Sequence, residues 1–134
     1  MATPVGSIRV SDARGDELWF RCTYGAPADV LPMLEQFLVW VESGVLRDNV
    51  EQSAGWLVVL GAYSLENLLR AAGLPRRADL FWPNDEQSEH GWKVGAIEPA
   101  ARADRWAVYQ YHVDLSGRSL TVMHRNDSGG WEAL

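Results

Sequence analysis

The feature that most constrains this fold is a β-hairpin pattern near the C-terminus. Apolar and polar residues alternate through residues 105–115 and 118–125, on either side of Ser116-Gly117, a sequence that suits a two-residue turn. Pairing outward from that turn gives one apolar and one polar face, with Val113 opposite Leu120, Tyr111 opposite Val122, Tyr109 opposite His124, His112 opposite Thr121 and Gln110 opposite Met123. This separation of faces predicts a half-buried antiparallel hairpin.

Two further strands are predicted near the N-terminus, at residues 5–10 and 17–24, with a turn around Gly15 between them. Period-two alternation in the second strand places Leu18, Phe20, Cys22 and Tyr24 on one face and Trp19 on the other. Because Cys22 is the single cysteine, no intrachain disulfide can form, and its apolar neighbours predict a small buried hydrophobic residue.

Helices are predicted at residues 30–43 and 65–72. Pro27 and Asp29 mark the start of the first helix and Gly44 its end, while Ser64 is a candidate N-cap for the second. Residues 45–54 are a polar connection. The apolar run at residues 56–60 fits a buried strand or a short buried helix, and we favour the strand.

These elements predict one α+β domain over residues 1–134. Its expected architecture is a mostly antiparallel five- to six-stranded sheet with two main helices packed on one face. A chain of 134 residues with 47% hydrophobic residues is long and apolar enough for one such core. Residues 75–91 have the composition of a loop, residues 92–97 that of a short strand, and residues 99–104 that of a linking turn.

The sequence favours a cytoplasmic protein. The longest uncharged window covers residues 52–65, which is shorter than the roughly 20 apolar residues that a membrane-spanning helix needs. The N-terminus lacks the basic and apolar regions of a signal peptide. A net charge of −6 also disfavours attraction to anionic membranes and to nucleic acid.

No cofactor is predicted. Cys22, His90, His112 and His124 are the soft metal ligands available, and none of their spacings matches a metal site. Glycine-rich phosphate-binding motifs are absent from the sequence. We therefore expect neither a metal nor a nucleotide cofactor.

The best acid–base candidate is the pair His112 and Asp114, which lie two residues apart on one strand face with Thr121 opposite His112. Alternating polar residues on a solvated strand produce the same pattern. No catalytic residue is assigned on this basis, and a non-enzymatic role is favoured over an enzymatic one.

An acidic, tryptophan-rich surface is the strongest functional signal. The chain has seven Trp, and tryptophan is enriched at binding hot spots. Trp82 and Trp92 flank an acidic run that contains Asp85, Glu86 and Glu89. Apolar anchors inside a negatively charged rim predict contact with a basic protein partner.

The favoured function is a non-catalytic protein-binding module that occludes a basic partner, such as a toxin or an effector. In size and acidity the chain is similar to the bacterial immunity proteins, which are small cytosolic inhibitors of toxins. The sequence leaves open whether the protein is a monomer or a homodimer.

Two alternatives remain. The first is a small enzyme or ligand-binding domain with a pocket between the sheet and the helix, which would use Tyr109, His112, Asp114 and His124. The second is a secretion chaperone, ranked lower because those proteins usually open with a helix and this chain is predicted to open with strands.

Overall fold

The computed structural model describes residues 4–61 and 97–134, and a six-stranded sheet forms the centre of these ranges. The strand order across the sheet is β3-β2-β1-β4-β5-β6. The strands are β1 (Gly6–Ser11), β2 (Glu17–Cys22), β3 (Ile97–Ala100), β4 (Tyr109–Asp114), β5 (Ser119–Arg125) and β6 (Trp131–Ala133).

The α+β class is confirmed, and the sheet is mixed. Four of its neighbouring pairs are antiparallel, whereas β1 and β4 run parallel at its centre. The sequence predicts only that the sheet is mostly antiparallel, because the parallel pair joins segments about a hundred residues apart, and local periodicity carries no information on such pairing.

The predicted hairpin register is confirmed at all five pairs, from Val113 opposite Leu120 to Tyr109 opposite His124. The strands are shorter than predicted, since the ladder ends at Asp114 opposite Ser119 and residues 105–108 are not strand. Residues 115–118 form the turn, where Arg118 adopts a left-handed φ of 52°. The N–H of Leu115 donates to the carbonyl of Ser11, so it extends the pairing with β1.

The first helix, α1 (Pro27–Glu42), begins three residues before the predicted start. Pro27 occupies its first turn, where the missing N–H costs no hydrogen bond. Gly44 ends it as predicted, with a φ of 84° that favours glycine. The buried side of the helix is formed by Val30, Met33, Leu34, Phe37 and Val41.

Two features of the following segment differ from the prediction. A short helix, α2 (Val50–Ser53), lies inside the predicted polar connection, and the Asn49 side chain caps it by accepting from the N–H of Gln52. Residues 56–61 are helical, so the strand interpretation was wrong. Trp56 is 46% exposed and Leu57 is fully buried, a pattern of a helix that is buried on one side only.

The core lies between α1 and one face of the sheet. Alternate strand residues supply the sheet side of this core, and those with almost no exposure are Ile8, Val10, Phe20, Cys22, Ile97, Tyr111 and Val113. The prediction of a buried Cys22 is confirmed. Leu18, expected on the same side, is 45% exposed because it lies where β2 begins, at the end of the sheet.

Several predicted elements lie outside the described residues, namely the helix at residues 65–72, the loop at residues 75–91 and all but the last residue of the strand at residues 92–97. The next described residue, Ile97, begins β3. The linking turn predicted from Pro99 begins later, because Pro99 and Ala100 pair with β2.

Candidate functional site on the open sheet face

The sheet face opposite α1 is not covered by any helix within residues 4–61 and 97–134. We call it the open face. Strand alternation and the observed register place polar and aromatic side chains there, including Arg9, Ser11, Glu17, Trp19, Arg21, His112, Asp114 and Thr121. Most of these side chains are half-buried or exposed.

The connection from β3 to β4, residues 101–108, contacts one end of the open face. The N–H of Asp104 donates to the Ser7 hydroxyl at 2.8 Å, and the Arg21 Nε donates to the Asp104 carboxylate at 3.0 Å. These bonds hold the connection against β1 and β2. Arg9, Ser11 and His112 lie farther along the strands and stay partly accessible.

A chain of four polar contacts crosses the open face, and we call it the His112 network. Ser11 Oγ lies 2.7 Å from His112 Nε2, and Arg9 Nη2 lies 3.1 Å from the same nitrogen. Arg9 Nε is 3.4 Å from a carboxylate oxygen of Glu17. The indole N–H of Trp19 donates to the other Glu17 oxygen at 3.2 Å.

These contacts favour the neutral form of His112. A guanidinium group can only donate, so Arg9 requires an unprotonated Nε2 as its acceptor, and the Ser11 hydroxyl donates to the same atom. The two shorter contacts are to Nε2, so they favour a neutral ring in which Nε2 is the acceptor. Burial and the positive charge of Arg9 lower the pKa of His112, while Asp114 and Glu17 oppose this shift. A neutral imidazole within hydrogen-bond distance of a hydroxyl can act as a general base that removes the hydroxyl proton.

The predicted acid–base candidates meet only in part. His112 and Asp114 share the open face, with Thr121 opposite His112. The Asp114 carboxylate, however, accepts from the hydroxyl and the N–H of Ser116, at 2.7 and 3.0 Å. These hydrogen bonds lower the pKa of Asp114. The direct partners of His112 are instead Ser11 and Arg9.

Sequence reasoning missed Ser11 and Arg9 because the parallel pairing of β1 with β4 places them beside His112. The available signal was the alternation of Ser7, Arg9 and Ser11 with the apolar residues of β1. That pattern shows that the side chains share a face, but it does not name the neighbouring strand.

The other two candidate pocket residues, Tyr109 and His124, lie opposite each other on the α1 side of the sheet. His124 Nε2 is 3.6 Å from a carboxylate oxygen of Glu132 in β6. Tyr109, His112, Asp114 and His124 are therefore divided between the two faces. The structure does not bring the four into one pocket between the sheet and the helix.

The predicted partner-binding residues, Trp82, Asp85, Glu86, Glu89 and Trp92, lie outside the described residues. Their role in binding stays a prediction.

A second polar surface lies where three connections meet at one end of the sheet. The Asp12 carboxylate accepts from the N–H of Val50 at 2.7 Å, which joins α2 to the turn between β1 and β2. Arg118, in the turn between β4 and β5, lies 3.4 Å from Asp48. We call this region the acidic end, and its carboxylates belong to Asp12, Asp16, Glu17, Asp48, Glu51 and Asp114.

A groove at the acidic end combines apolar and negative groups. It is lined by Arg14, Asp16, Glu17, Leu18, Val50 and Glu51. Leu18 is accessible in the groove, and Arg14 lies 3.8 Å from Glu51 across it. Arg14 pairs with Glu51 and Arg9 with Glu17, so with Asp16 the groove keeps a small net negative charge.

Within the two described ranges, no group of three or more His, Cys, Asp and Glu side chains is placed to hold a metal ion. Among the helices of these ranges, none has the length and apolar character needed to cross a bilayer.

Comparison with protein-family models, with curated proteins and with solved structures found no match. The described surfaces are therefore the basis for inferring a function.

Proposed function

We propose that the protein is a cytosolic protein-binding module of the immunity-protein type, which occludes a basic partner such as a toxin or an effector by binding alone, without chemistry at the contact. The acidic end of the sheet is the observation that carries this proposal. The described ranges contain thirteen Asp and Glu residues against eight Arg. Six of the carboxylates lie at this end, where Arg9, Arg14 and Arg118 pair with three of them, so the end keeps excess negative charge.

Charge complementarity supports a basic partner over an acidic one. A surface with excess negative charge attracts a basic protein over a distance of about 10 Å at 0.1 M salt, which raises the association rate. The contribution to affinity is smaller, because exposed ion pairs are worth about 0–1 kcal/mol each. The main effect of these charges is on encounter and partner selection.

The groove at the acidic end has the apolar and negative groups that can bind an Arg or Lys side chain of a basic partner. A partner Arg or Lys side chain can lay its aliphatic stem on Leu18 and direct its charged head toward Asp16 and Glu51. Trp82 and Trp92, with the carboxylates between them, remain the proposed second contact.

The test begins with capture of a partner from the native host at low salt, followed by identification and purification. Binding of the purified partner is then measured by surface plasmon resonance between 0.05 and 0.5 M NaCl, roughly a threefold range of Debye length. The proposal expects a basic partner whose association rate falls steeply with salt. A partner that is acidic, or whose association rate is insensitive to salt, contradicts it.

A pair of charge-matched double variants locates the contact. Asp16→Lys with Glu51→Lys changes the acidic end, and Glu35→Lys with Asp127→Lys changes exposed positions elsewhere by the same net charge. We expect the first variant to slow association about tenfold or more and the second about twofold. Equal effects of the two variants would assign the attraction to net charge and overturn the groove as the contact.

The acidic run is tested separately by reversing Asp85, Glu86 and Glu89 to Lys. Weaker binding with a melting temperature close to that of the wild type is the expected result. Unchanged affinity excludes this run from the contact.

A further inference from the structure

The His112 network has a chemical capacity that partner binding does not use. We propose that Ser11 is a nucleophile activated by His112, in a site that transfers the acyl group of small neutral carboxylic esters. This inference is independent of the proposed partner and is carried by the 2.7 Å contact between Ser11 Oγ and His112 Nε2. A hydroxyl within hydrogen-bond distance of a neutral imidazole is one requirement of an activated serine.

Both reacting groups are held by the central strands of the sheet. Ser11 ends β1 and His112 lies in β4, and the two strands pair directly in parallel. A site on paired strands keeps its groups in register more strictly than a site on loops. Ser11 and His112 are both only partly buried, so a small ester can reach the hydroxyl from the open face.

Arg9 has two functions in this site. Its Nη2 lies 3.1 Å from Nε2 and 3.4 Å from Nδ1 of His112, so its positive charge keeps the resting ring neutral and able to accept a proton, and it also makes the ring a weaker base. Because Arg9 Nη2 and Ser11 Oγ both contact His112 Nε2, the same charge would stabilise a tetrahedral oxyanion formed on a carbonyl attacked by Ser11. Glu17 holds Arg9 from the other side and accepts from Trp19.

The step balances with water as the only co-reactant. Ser11 Oγ forms a bond to the ester carbonyl carbon while its proton passes to His112 Nε2. The carbon–oxygen bond to the leaving alcohol then breaks, and His112 returns the proton to that alcohol. Water attacks the acyl-serine by the same route, which releases the carboxylic acid and restores Ser11 and neutral His112.

The surroundings favour neutral esters. Glu17 and Asp114 carry negative charge on the same face and disfavour anionic acyl groups. Trp19 lies directly across from Arg9 in the pairing of β1 with β2 and offers a flat apolar surface to an aryl group. Aryl esters of short carboxylic acids are therefore suitable probes.

The experiment treats the full chain with a fluorophosphonate probe, locates the label by peptide mass spectrometry, and measures p-nitrophenyl acetate hydrolysis. We expect the label on Ser11, and loss of both label and hydrolysis in Ser11→Ala. His112→Gln should slow both by about 100-fold, the usual size of a general-base contribution. Ser128→Ala removes an exposed hydroxyl that bonds Asn126, and it should leave both rates unchanged.

Two results overturn the proposal: labelling no faster than that of the urea-unfolded chain, or a labelling rate at Ser11 that His112→Gln does not change. Circular dichroism confirms that each variant is folded. Should Ser11→Ala not fold, Ser11→Cys provides the test, since the introduced thiol beside His112 should react with iodoacetamide about tenfold faster at pH 7 than the same thiol in Ser11→Cys with His112→Gln. Equal alkylation rates refute the activation.

Discussion

The hydroxyl of Tyr111 donates a hydrogen bond to the carbonyl oxygen of Gly25 across 2.6 Å. Tyr111 is fully buried in β4, and Gly25 lies in the connection between β2 and α1. Burial raises the pKa of Tyr111 well above its usual range, so the hydroxyl remains a donor at any pH at which the protein folds. The bond fixes the start of α1 to the centre of the sheet.

Tyr111→Phe should lower the free energy of unfolding by about 1–3 kcal/mol, because it leaves a buried carbonyl without its donor. Urea denaturation followed by Trp fluorescence measures the change. Tyr109→Phe is the control, since Tyr109 is only half-buried and should lose less. Equal losses of unfolding free energy in the two variants would show that the hydrogen bond to Gly25 contributes nothing beyond the loss of a tyrosine hydroxyl.

Gly25→Ala should be far more damaging than an ordinary glycine substitution. A Cβ at this position would lie 2.2 Å from the backbone nitrogen of Gly6, and backbone cannot move aside as a side chain can. We expect little folded protein, or a loss above about 4 kcal/mol, in the range of severe steric defects. Gly55→Ala is the matched control, because a Cβ there meets open space and its stability should change by less than about 1 kcal/mol.

Asp12 should make stability depend on pH in the acid range. Its carboxylate accepts hydrogen bonds from the N–H groups of Val50, Arg14 and Asp16. These bonds hold its pKa below the ordinary value of 3.8, and the bond from Val50 has the largest effect. Because the folded pKa is the lower one, the stabilisation is complete above pH 3.8 and is lost as pH falls through the folded pKa.

Asp12→Asn should therefore melt several degrees below the wild type at pH 7, and the gap should narrow toward pH 3. An amide has one acceptor oxygen, so either the N–H of Val50 or those of Arg14 and Asp16 would face the NH₂ group and lose their acceptor. Thermal melts at pH 7, 5 and 3 measure the gap. Asp127→Asn, at an exposed turn position, controls for the loss of one negative charge. A gap that stays constant across this range would refute the role of the Asp12 charge.

Cys22 should be inert in the folded protein. Burial raises the pKa of its thiol to about 12, so the reactive thiolate is scarce at pH 8, and the side chain has no exposed surface. Ellman's reagent should find no reactive thiol in buffer and one in urea. Rapid reaction of the Cys22 thiol in buffer would contradict its buried position. In that case the alkylation test of Ser11→Cys would have to be made in a chain that also carries Cys22→Ala.

The parts of the fold that could be predicted from the sequence depend on local patterns. The register between β4 and β5 follows from alternation on both sides of a turn, because one shift would exchange the two faces. The first helix follows from Pro27 at its start and Gly44 at its end. In both cases the information lies within about 20 residues of sequence, as expected for elements set by propensity and short-range pairing.

The missed features depend on distant contacts. Ser11 becomes the partner of His112 through a pairing across 101 positions of sequence. The bond from Val50 to Asp12, across 38 positions, holds α2 in a segment that local composition predicts as a polar connection. The helix at residues 56–61 replaced the favoured strand because a short apolar run has no period that separates the two states. Tertiary contacts decided each of these cases.

The pairing of Arg9 with His112 predicts how the ring titrates. Burial and the Arg9 charge lower the pKa of His112 below its ordinary value of 6.5, so the native state resists protonation more than the unfolded chain does. Stability from this group is complete above pH 6.5 and declines as pH falls below it.

Arg9→Gln removes the nearby positive charge and leaves Glu17 and Asp114 facing the ring, so the pKa of His112 should rise. NMR titration of the imidazole signals, with His112→Gln to assign them, measures the pKa of His112 in the wild type and in Arg9→Gln. Arg47→Gln, a charge-matched change outside the network, should leave the titration unmoved, and a His112 pKa that is equally unmoved by Arg9→Gln would refute the contact.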